Sequence, residues 1–158
     1  MDHARIFLLS LLAVCSLASC RQPIEQQQEE SFFDLEAFLD QQVTLLSSLD
    51  PELDKKTDVD DSTAQVAIRH DSTGWGRELS IFRTADVHKP GLRNFYRKEV
   101  RDSGSYAIET YDLTDPSQAE TIRLCIRRDR QDRRITRIEA FQRTENPIYR
   151  SGRKLLMT

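Results

Sequence analysis

The stretch that decides the fold class is Thr121–Arg127, which reads TIRLCIR. Its apolar and polar side chains alternate, and in an extended strand successive side chains point to opposite faces of the sheet. The set expected to face the core is Ile122, Leu124 and Ile126. The set expected on the other face is Arg123, Cys125 and Arg127. The sequence therefore predicts a strand with one apolar face and one charged face.

Similar short runs lie on both sides of this strand, and short polar connectors join them. They are Leu92–Arg101, Tyr106–Leu113 and Arg134–Thr144. Parallel neighbours need crossovers of a dozen or more residues, whereas sequential strands with short connectors pair antiparallel. We expect an antiparallel β-meander, in which Pro147–Thr158 is either a final edge strand or the end of a shortened chain.

Two helices and a hairpin precede the meander. Ser31–Leu49 has an apolar stripe at helical spacing, with Ser31 as the expected cap and Asp50-Pro51 as the stop. Leu53–Ile68 predicts a weak hairpin. A second short helix is expected to run to about Asp86, with Ser72 as its cap. The predicted fold class is α+β, with both helices packed on the antiparallel β-meander.

The N-terminus has the pattern of a bacterial lipoprotein precursor. Ile6–Leu17 is an apolar run of 12 residues, which is too short to span a bilayer but matches the hydrophobic region of a signal peptide. Leu17–Cys20 (LASC) resembles a lipobox, which implies cleavage before Cys20 and lipid on its sulfur. A plain secreted protein, or an uncleaved anchor with an incidental cysteine, is the alternative.

These features divide the chain into a signal peptide (1–19), a polar flexible tether (20–30) and a single α+β domain (31–158). Lipid on Cys20 would hold the protein on a membrane that it does not span. Arg21 follows the cysteine and favours the outer membrane over inner-membrane retention. The expected location is therefore the cell envelope, with the domain on either the periplasmic or the surface side.

Charge is distributed unevenly along the chain, although the net charge is only −3. Arg21–Ser62 contains 12 acidic and 3 basic residues, whereas Thr63–Thr158 contains 13 acidic and 19 basic residues, which gives −9 and +6. The acidic N-terminal part is thus joined to a basic remainder. Of three cysteines, only Cys125 lies in the domain, so an intradomain disulfide is excluded.

Several of these features together resemble a group of uncharacterised lipoproteins from Bacteroidota-type bacteria. They are the leader, the FFDLEAFL segment that begins at Phe32, the predicted helix around Trp75 and the terminal meander. The resemblance implies a location on the cell envelope and no particular activity. Members of that group continue beyond Tyr149–Gly152 through another strand pair, so this sequence departs from their pattern there.

No residue set demands a particular reaction, and we expect no catalytic residues, metal or cofactor. His70-Asp71-Ser72 has the residue types of a hydrolytic triad, but neighbouring side chains cannot form the relay geometry. His88 is interpreted as a loop residue, and Cys125 as a packed thiol that flanking arginines could activate. Glu109 and Glu139 are the carboxylates to consider for catalysis, although each is more simply paired with an arginine on the exposed side of the sheet.

The most distinctive surface feature is Arg127–Arg134, which reads RRDRQDRR at an expected hairpin tip. Arginine binds carboxylates and phosphates with paired N–H groups. The candidate contacts for an anionic partner are Arg127, Arg128, Arg130, Arg133 and Arg134. The alternative is a solvated hairpin whose arginines pair with its own aspartates. Nucleic acid is not expected as a partner of an exported, mildly acidic protein.

The sequence therefore predicts a membrane-anchored envelope lipoprotein that acts as a non-enzymatic binding or assembly module, with an envelope protein or an anionic surface as partner. One alternative is a carrier of lipid or another apolar ligand in a cavity between sheet and helices. The cavity would be lined by Phe32, Phe38, Trp75 and Phe82. The other alternative is an enzyme whose cleft contains His70, His88 or Glu139.

Overall fold

The computed structural model describes residues 32–158, which belong to one compact unit, Phe32–Thr158. The predicted signal peptide, the tether and the lipidation site at Cys20 lie outside the described residues. The elements in chain order are α1 (Leu35–Leu49), β1 (Glu52–Val59), β2 (Ser62–Arg69), α2 (Ser72–Arg83), a 3-10 turn (Arg93–Phe95), β3 (Tyr96–Ser103), β4 (Tyr106–Leu113), β5 (Thr121–Asp129), β6 (Ile135–Glu145) and β7 (Arg150–Met157).

Helix α1 begins later than its sequence pattern predicts. Asp34 is its N-cap, and the Asp34 carboxylate accepts a hydrogen bond from the Ala37 amide at 2.8 Å. The expected cap, Ser31, lies outside the described residues, and a start there is wrong because 32–34 are not helical. The helix stops at Asp50, whose left-handed backbone (φ 45°) ends the hydrogen-bond series.

The hairpin and the second helix form where the sequence predicts them. Strands β1 and β2 pair antiparallel from Glu52↔Arg69 to Val59↔Ser62, and nearly all of their side chains are exposed. The N-cap of α2 is Asp71, whose carboxylate accepts from the Gly74 amide at 2.7 Å, so the prediction of Ser72 as the cap is wrong. Helix α2 ends at Arg83, three residues before the predicted Asp86.

The meander is confirmed as a five-stranded antiparallel sheet in the order β3-β4-β5-β6-β7. Its last strand, β7, is an edge strand. The first predicted strand is shorter than expected, since Leu92 precedes the 3-10 turn and extended structure begins at Tyr96. With both helices packed on this sheet, the described part has the predicted α+β fold.

One face of the sheet forms the core, which we call the core face. Leu35 and Leu39 of α1 are fully buried against it, and Leu79 and Phe82 of α2 pack beside them. The buried cluster is Leu35, Leu39, Ala85, Val87, Tyr96, Tyr111, Leu124, Ile126, Ile138, Ala140 and Leu155. Two helices therefore cover a single face of the sheet.

A β-bulge changes which side chains of β5 reach the core. The pairing passes from Thr121↔Gln142 to Arg123↔Phe141, so Ile122 is an extra residue. Thr121 and Gln142 are buried, whereas Ile122 lines an open depression together with Phe141. The inward placement predicted for Ile122 is therefore wrong, and the inward placement of Leu124 and Ile126 is confirmed.

Candidate functional site

The candidate site is the face of the sheet opposite the helices, which we call the open face. Its residues follow from the strand registers, because alternate residues share a face. Eight of its side chains are cationic: Arg97, Arg101, Arg123, Arg127, Arg137, Arg143, Arg150 and Lys154. Five are acidic: Glu99, Asp112, Asp129, Glu139 and Glu145. The open face therefore carries an excess of three positive charges, in a chain whose net charge is −3.

Neighbouring strands neutralise part of this charge. Arg123 on β5 donates from Nε to the Asp112 carboxylate on β4 at 2.5 Å, and this hydrogen bond raises the pKa of the Arg123 guanidinium. Glu139 lies 2.5 Å from Arg137 and 3.5 Å from Lys154. Burial acts to raise the pKa of Glu139, but the two cations outweigh burial and lower it. Glu139 is thus held ionised by two cations of the same face, and Asp112 is paired with a third.

The first two candidate arginines lie on opposite faces of β5. The guanidinium carbon of Arg127 lies 4.5 Å from the centroid of the Tyr106 ring on the open face, and Nε donates to Thr136 Oγ1 at 3.0 Å. Arg128 is directed to the core face, where Nε donates to Glu109 Oε1 at 3.0 Å. Its guanidinium lies 4.9 Å from the centroid of Phe33. An anionic partner on the open face can therefore contact Arg127 and not Arg128.

The other three candidates occupy the turn between β5 and β6. Arg130 lies 3.4 Å from Asp102, and Arg134 lies 3.6 Å from Asp132. Arg133 is exposed and has a positive φ of 59°, which places it at the bend of the turn. The five arginines of the run therefore do not converge on one point. Pairing of Arg134 with an aspartate of its own hairpin agrees with the solvated-hairpin alternative.

A polar network anchors the start of α1 to the core face. The Tyr111 hydroxyl donates to Glu109 Oε2 at 2.8 Å and accepts from the Phe33 amide at 3.0 Å. Burial, helped by the Glu109 hydrogen bond, raises the pKa of Tyr111 far above its ordinary value. Glu109 pairs with an arginine as predicted, but on the core face and not on the exposed side. This arrangement is structural, because every group in it already has a partner.

Cys125 lies on the open face between its two flanking arginines, as the alternation predicts. Burial raises the pKa of the Cys125 thiol, and the field of Arg123 and the contact with Thr110 do not reverse this effect. Both flanking guanidinium groups are directed elsewhere, to Asp112 and Tyr106. This environment fits the interpretation of Cys125 as a packed thiol and not the alternative of an arginine-activated one, because a raised pKa leaves less reactive thiolate at neutral pH.

The two histidines of the domain have separate environments. His70 Nε2 lies 3.1 Å from Glu78 Oε1, and its ring lies edge-on to Trp75 with the centroids 5.4 Å apart. Lys55 Nζ, 2.7 Å from the same Glu78 oxygen, holds the pKa of that carboxyl below its ordinary value. His88 contacts Arg93 and lies 3.8 Å from Asp34. Asp71 caps α2, so the His70-Asp71-Ser72 run forms no relay.

The depressions on the described surface include four that are open to solvent, with volumes of about 460, 440, 580 and 340 Å³. The largest of these four lies on the open face at β6 and β7, around Phe141 and Gly152. The aromatic residues expected to line a carrier cavity lie elsewhere. Phe32, Phe38 and Phe82 pack against the core, and Trp75 is buried beside His70.

Sequence reasoning missed the residues around this largest depression. Phe141, Arg143, Gly152 and Lys154 surround it, and none was singled out as a candidate. A signal was present, because a glycine inside a strand often marks a bulge or a place where a ligand approaches the backbone. The alternation of β6 also predicts that Arg143 and Phe141 share the face of Glu139. The pairing of β7 with β6 was the missing step.

Within residues 32–158, no group of three or more histidine, cysteine or acidic side chains is arranged to hold a metal ion. No helix in this same part is long and apolar enough to cross a membrane. In comparisons with known proteins, the chain matches no family model, no curated protein and no solved structure. The candidate site therefore rests on its own geometry and charge.

Proposed function

We propose that the protein is a lipid-anchored, non-enzymatic binding module of the bacterial cell envelope, and that the open face of its sheet receives an anionic partner. The observation that carries the proposal is the one-sided cover of the sheet. Both described helices pack on the core face, so neither of them covers the cation-rich open face. Lipid on Cys20 would hold this module on the membrane, with Arg21 favouring the outer membrane.

Electrostatic complementarity supports an anionic partner. Positive charge gathered on one face of a chain with a net charge of −3 creates a local potential that steers acidic partners to that face. Arg97 and Arg101 on β3 are exposed and form no ion pair within residues 32–158. Among the predicted contacts, Arg127 belongs to this surface, whereas Arg130, Arg133 and Arg134 form a separate turn at the end of β5.

The membrane part of the proposal rests on sequence. The LASC segment that ends at Cys20 and the polar 20–30 segment support a lipid anchor and a tether, as does the resemblance to uncharacterised Bacteroidota-type lipoproteins. Two or three acyl chains contribute about 0.8 kcal/mol per buried methylene, which holds a protein on a bilayer stably. The intact mass of the processed chain tests the predicted anchor.

Binding to a defined polyanion tests the role of the open face. The full chain with Cys20→Ser is titrated with alginate, a polymer of carboxylate sugars, and with neutral dextran of similar length. The open-face variant is the double substitution Arg97→Gln and Arg101→Gln. Its matched control is Arg133→Gln with Arg134→Gln, which removes the same charge from the turn.

We expect the unsubstituted open face to bind alginate and not dextran, with an affinity that falls as salt is added. The open-face variant should bind about tenfold more weakly, since each exposed ion pair contributes roughly 0.2–1 kcal/mol. The turn variant should bind within about twofold. Loss of binding in the turn variant alone would place recognition at Arg133 and Arg134 and would refute the open-face proposal. Equal binding of alginate and dextran would refute the anionic partner.

A further inference from the structure

The depression of about 580 Å³ at β6 and β7 has an apolar floor and a cationic rim. Ile122 and Phe141 supply the apolar floor. Arg143 lies on β6, while Arg150 and Lys154 lie on β7. Its volume of about 580 Å³ lies within the range of ligand sites in proteins. The combination suits a molecule with an apolar body and one anionic group.

Gly152 lines the depression and contributes no side chain to it. Gly152 pairs with Arg143 across β6 and β7 and occupies an open-face position between Arg150 and Lys154. A side chain at this position would project over the floor formed by Phe141. The nearest atom to an added Cβ at 152 is the Gln142 carbonyl oxygen, at 3.9 Å, so the backbone does not require glycine for lack of space. Packing around residue 152 would therefore tolerate a side chain, and the glycine serves to leave the surface open at this point.

The β-bulge in β5 supplies the second part of the floor. Because Ile122 is the extra residue of the bulge, its side chain lines this depression beside Phe141. Bulges commonly redirect a side chain next to a functional site. Without the bulge, strict alternation would direct Ile122 to the core face. The sheet therefore exposes an aliphatic side chain at the one place where glycine leaves room above the strand.

The acidic side chains around the depression do not balance the positive charge of its arginines and lysine. Arg150 pairs with Glu145, which leaves these two side chains neutral together. Glu139 is shared by Arg137 and Lys154, so one positive charge remains there. In the part of the chain that the structure describes, Arg143 forms no direct ion pair; its charge acts on Glu145 only from a distance, beside the direct pair that Arg150 makes. The rim thus retains two positive charges beside an apolar floor, one of them on a guanidinium that can bind a carboxylate through two N–H groups.

We infer that this depression binds the carboxylate end of a free fatty acid. The first part of the acyl chain lies on Ile122 and Phe141, and the carboxylate binds Arg143. The Lys154 ammonium, which lies 5.2 Å from the centroid of the Phe141 ring, supplies a second cation beside the chain. The inference rests on the proposed function, in which the open face recognises anions, and it names one ligand class for one part of that face.

The probe is laurate, used below its micelle concentration, with dodecyl maltoside as a neutral ligand of the same chain length. Binding to the full chain with Cys20→Ser is followed through backbone amide NMR signals of Phe141, Gly152 and Lys154, so that the readout is specific to the depression. Burial of about half of the laurate chain predicts a Kd on the order of 0.1–1 mM. The expected result is a saturable shift of these signals by laurate.

Two variants test separately how the apolar floor and the cationic rim contribute to laurate binding. Gly152→Val fills the depression with a side chain that suits a strand, and it should weaken laurate binding about tenfold. Arg143→Gln should weaken laurate about fivefold or more and leave the weak binding of dodecyl maltoside unchanged. Gly76→Ala is the matched control for the glycine, since Gly76 has open space around it in α2, and Arg134→Gln is the control for the charge.

Laurate binding that is unchanged in both Gly152→Val and Arg143→Gln would overturn the inference. So would shifts caused by a short polyglutamate peptide and not by laurate, because they would indicate a peptide strand added at the edge of β7. The proposed function is tested separately by alginate and the Arg97 and Arg101 variant. Failure of the unsubstituted open face to bind alginate, together with retained laurate shifts at Gly152, would refute the general anionic partner and leave the fatty-acid site standing.

Discussion

Replacing Tyr111 with phenylalanine removes one hydroxyl from the core face and leaves the ring in place. The change deletes the 2.8 Å hydrogen bond to Glu109 and the 3.0 Å hydrogen bond from the Phe33 amide. Tyr111 is fully buried, so water cannot replace the lost partner without rearrangement. The substitution therefore isolates the polar connection between β4 and the segment that leads into α1.

The expected cost follows from the groups that are left behind. A buried donor or acceptor that loses its partner costs about 1–3 kcal/mol, and hydrogen bonds to charged groups lie toward the upper part of this range. Glu109 loses the hydrogen bond from Tyr111 but keeps its ion pair with Arg128. We expect Tyr111→Phe to lower the free energy of unfolding by about 2 kcal/mol, with no cavity contribution because the ring remains.

Urea unfolding followed by circular dichroism measures this difference, and Tyr106→Phe is the matched control. Tyr106 lies on the open face under Arg127, and its hydroxyl forms no hydrogen bond within residues 32–158. The control should change the free energy of unfolding by less than about 0.5 kcal/mol. An equal loss of unfolding free energy in the two variants would contradict this prediction, because it would show that the hydrogen bonds of the Tyr111 hydroxyl add no stability.

Three further predictions concern the core, the sheet and the thiol. Leu39→Ala should lower the free energy of unfolding by about 2–5 kcal/mol in urea, because Leu39 is fully buried between α1 and the sheet; a loss below about 1 kcal/mol would contradict that packing. The cations beside Glu139 lower its folded pKa, so their stabilisation is present above its ordinary pKa of 4.5 and is lost as pH falls through the folded value. Urea midpoints of the original chain and of Glu139→Gln should therefore differ at pH 6 and converge near pH 3. A difference that stays constant with pH would show that the ion pairs of Glu139 do not stabilise the fold. Cys125 should react with iodoacetamide at pH 7.5 at least about tenfold more slowly in the folded chain than in urea, because burial raises its pKa; equal rates would refute this protection.

The strands could be predicted closely because alternation is a local property. Tyr106–Leu113 is observed with the predicted bounds, and the turn at Asp60 and Asp61 separates the two predicted hairpin strands. The bulge at Ile122 could not be predicted, because it depends on how β5 pairs with β6 and leaves no mark in the β5 sequence. Because successive side chains of a strand point to opposite faces, one extra residue is enough to move an isoleucine from the core face to the open face.

The candidate site was predicted only in part, for a similar reason. The arginine run was interpreted as one cluster because its members are neighbours in sequence. Extended backbone separates Arg127 from Arg128, and the following turn carries the remaining arginines away from the sheet. The cationic surface is assembled instead from residues far apart in sequence, such as Arg97 and Lys154, which only the strand order brings to one face.

The measurement that tests the central claim most directly is the intact mass of the protein extracted from its native membrane, compared with the Cys20→Ser variant. We expect the chain to lack residues 1–19 and to carry a lipid-sized mass increment on Cys20, and we expect the variant to carry none. An unmodified chain, or one that begins at another residue, would contradict the lipid anchor and with it the proposed location on the cell envelope.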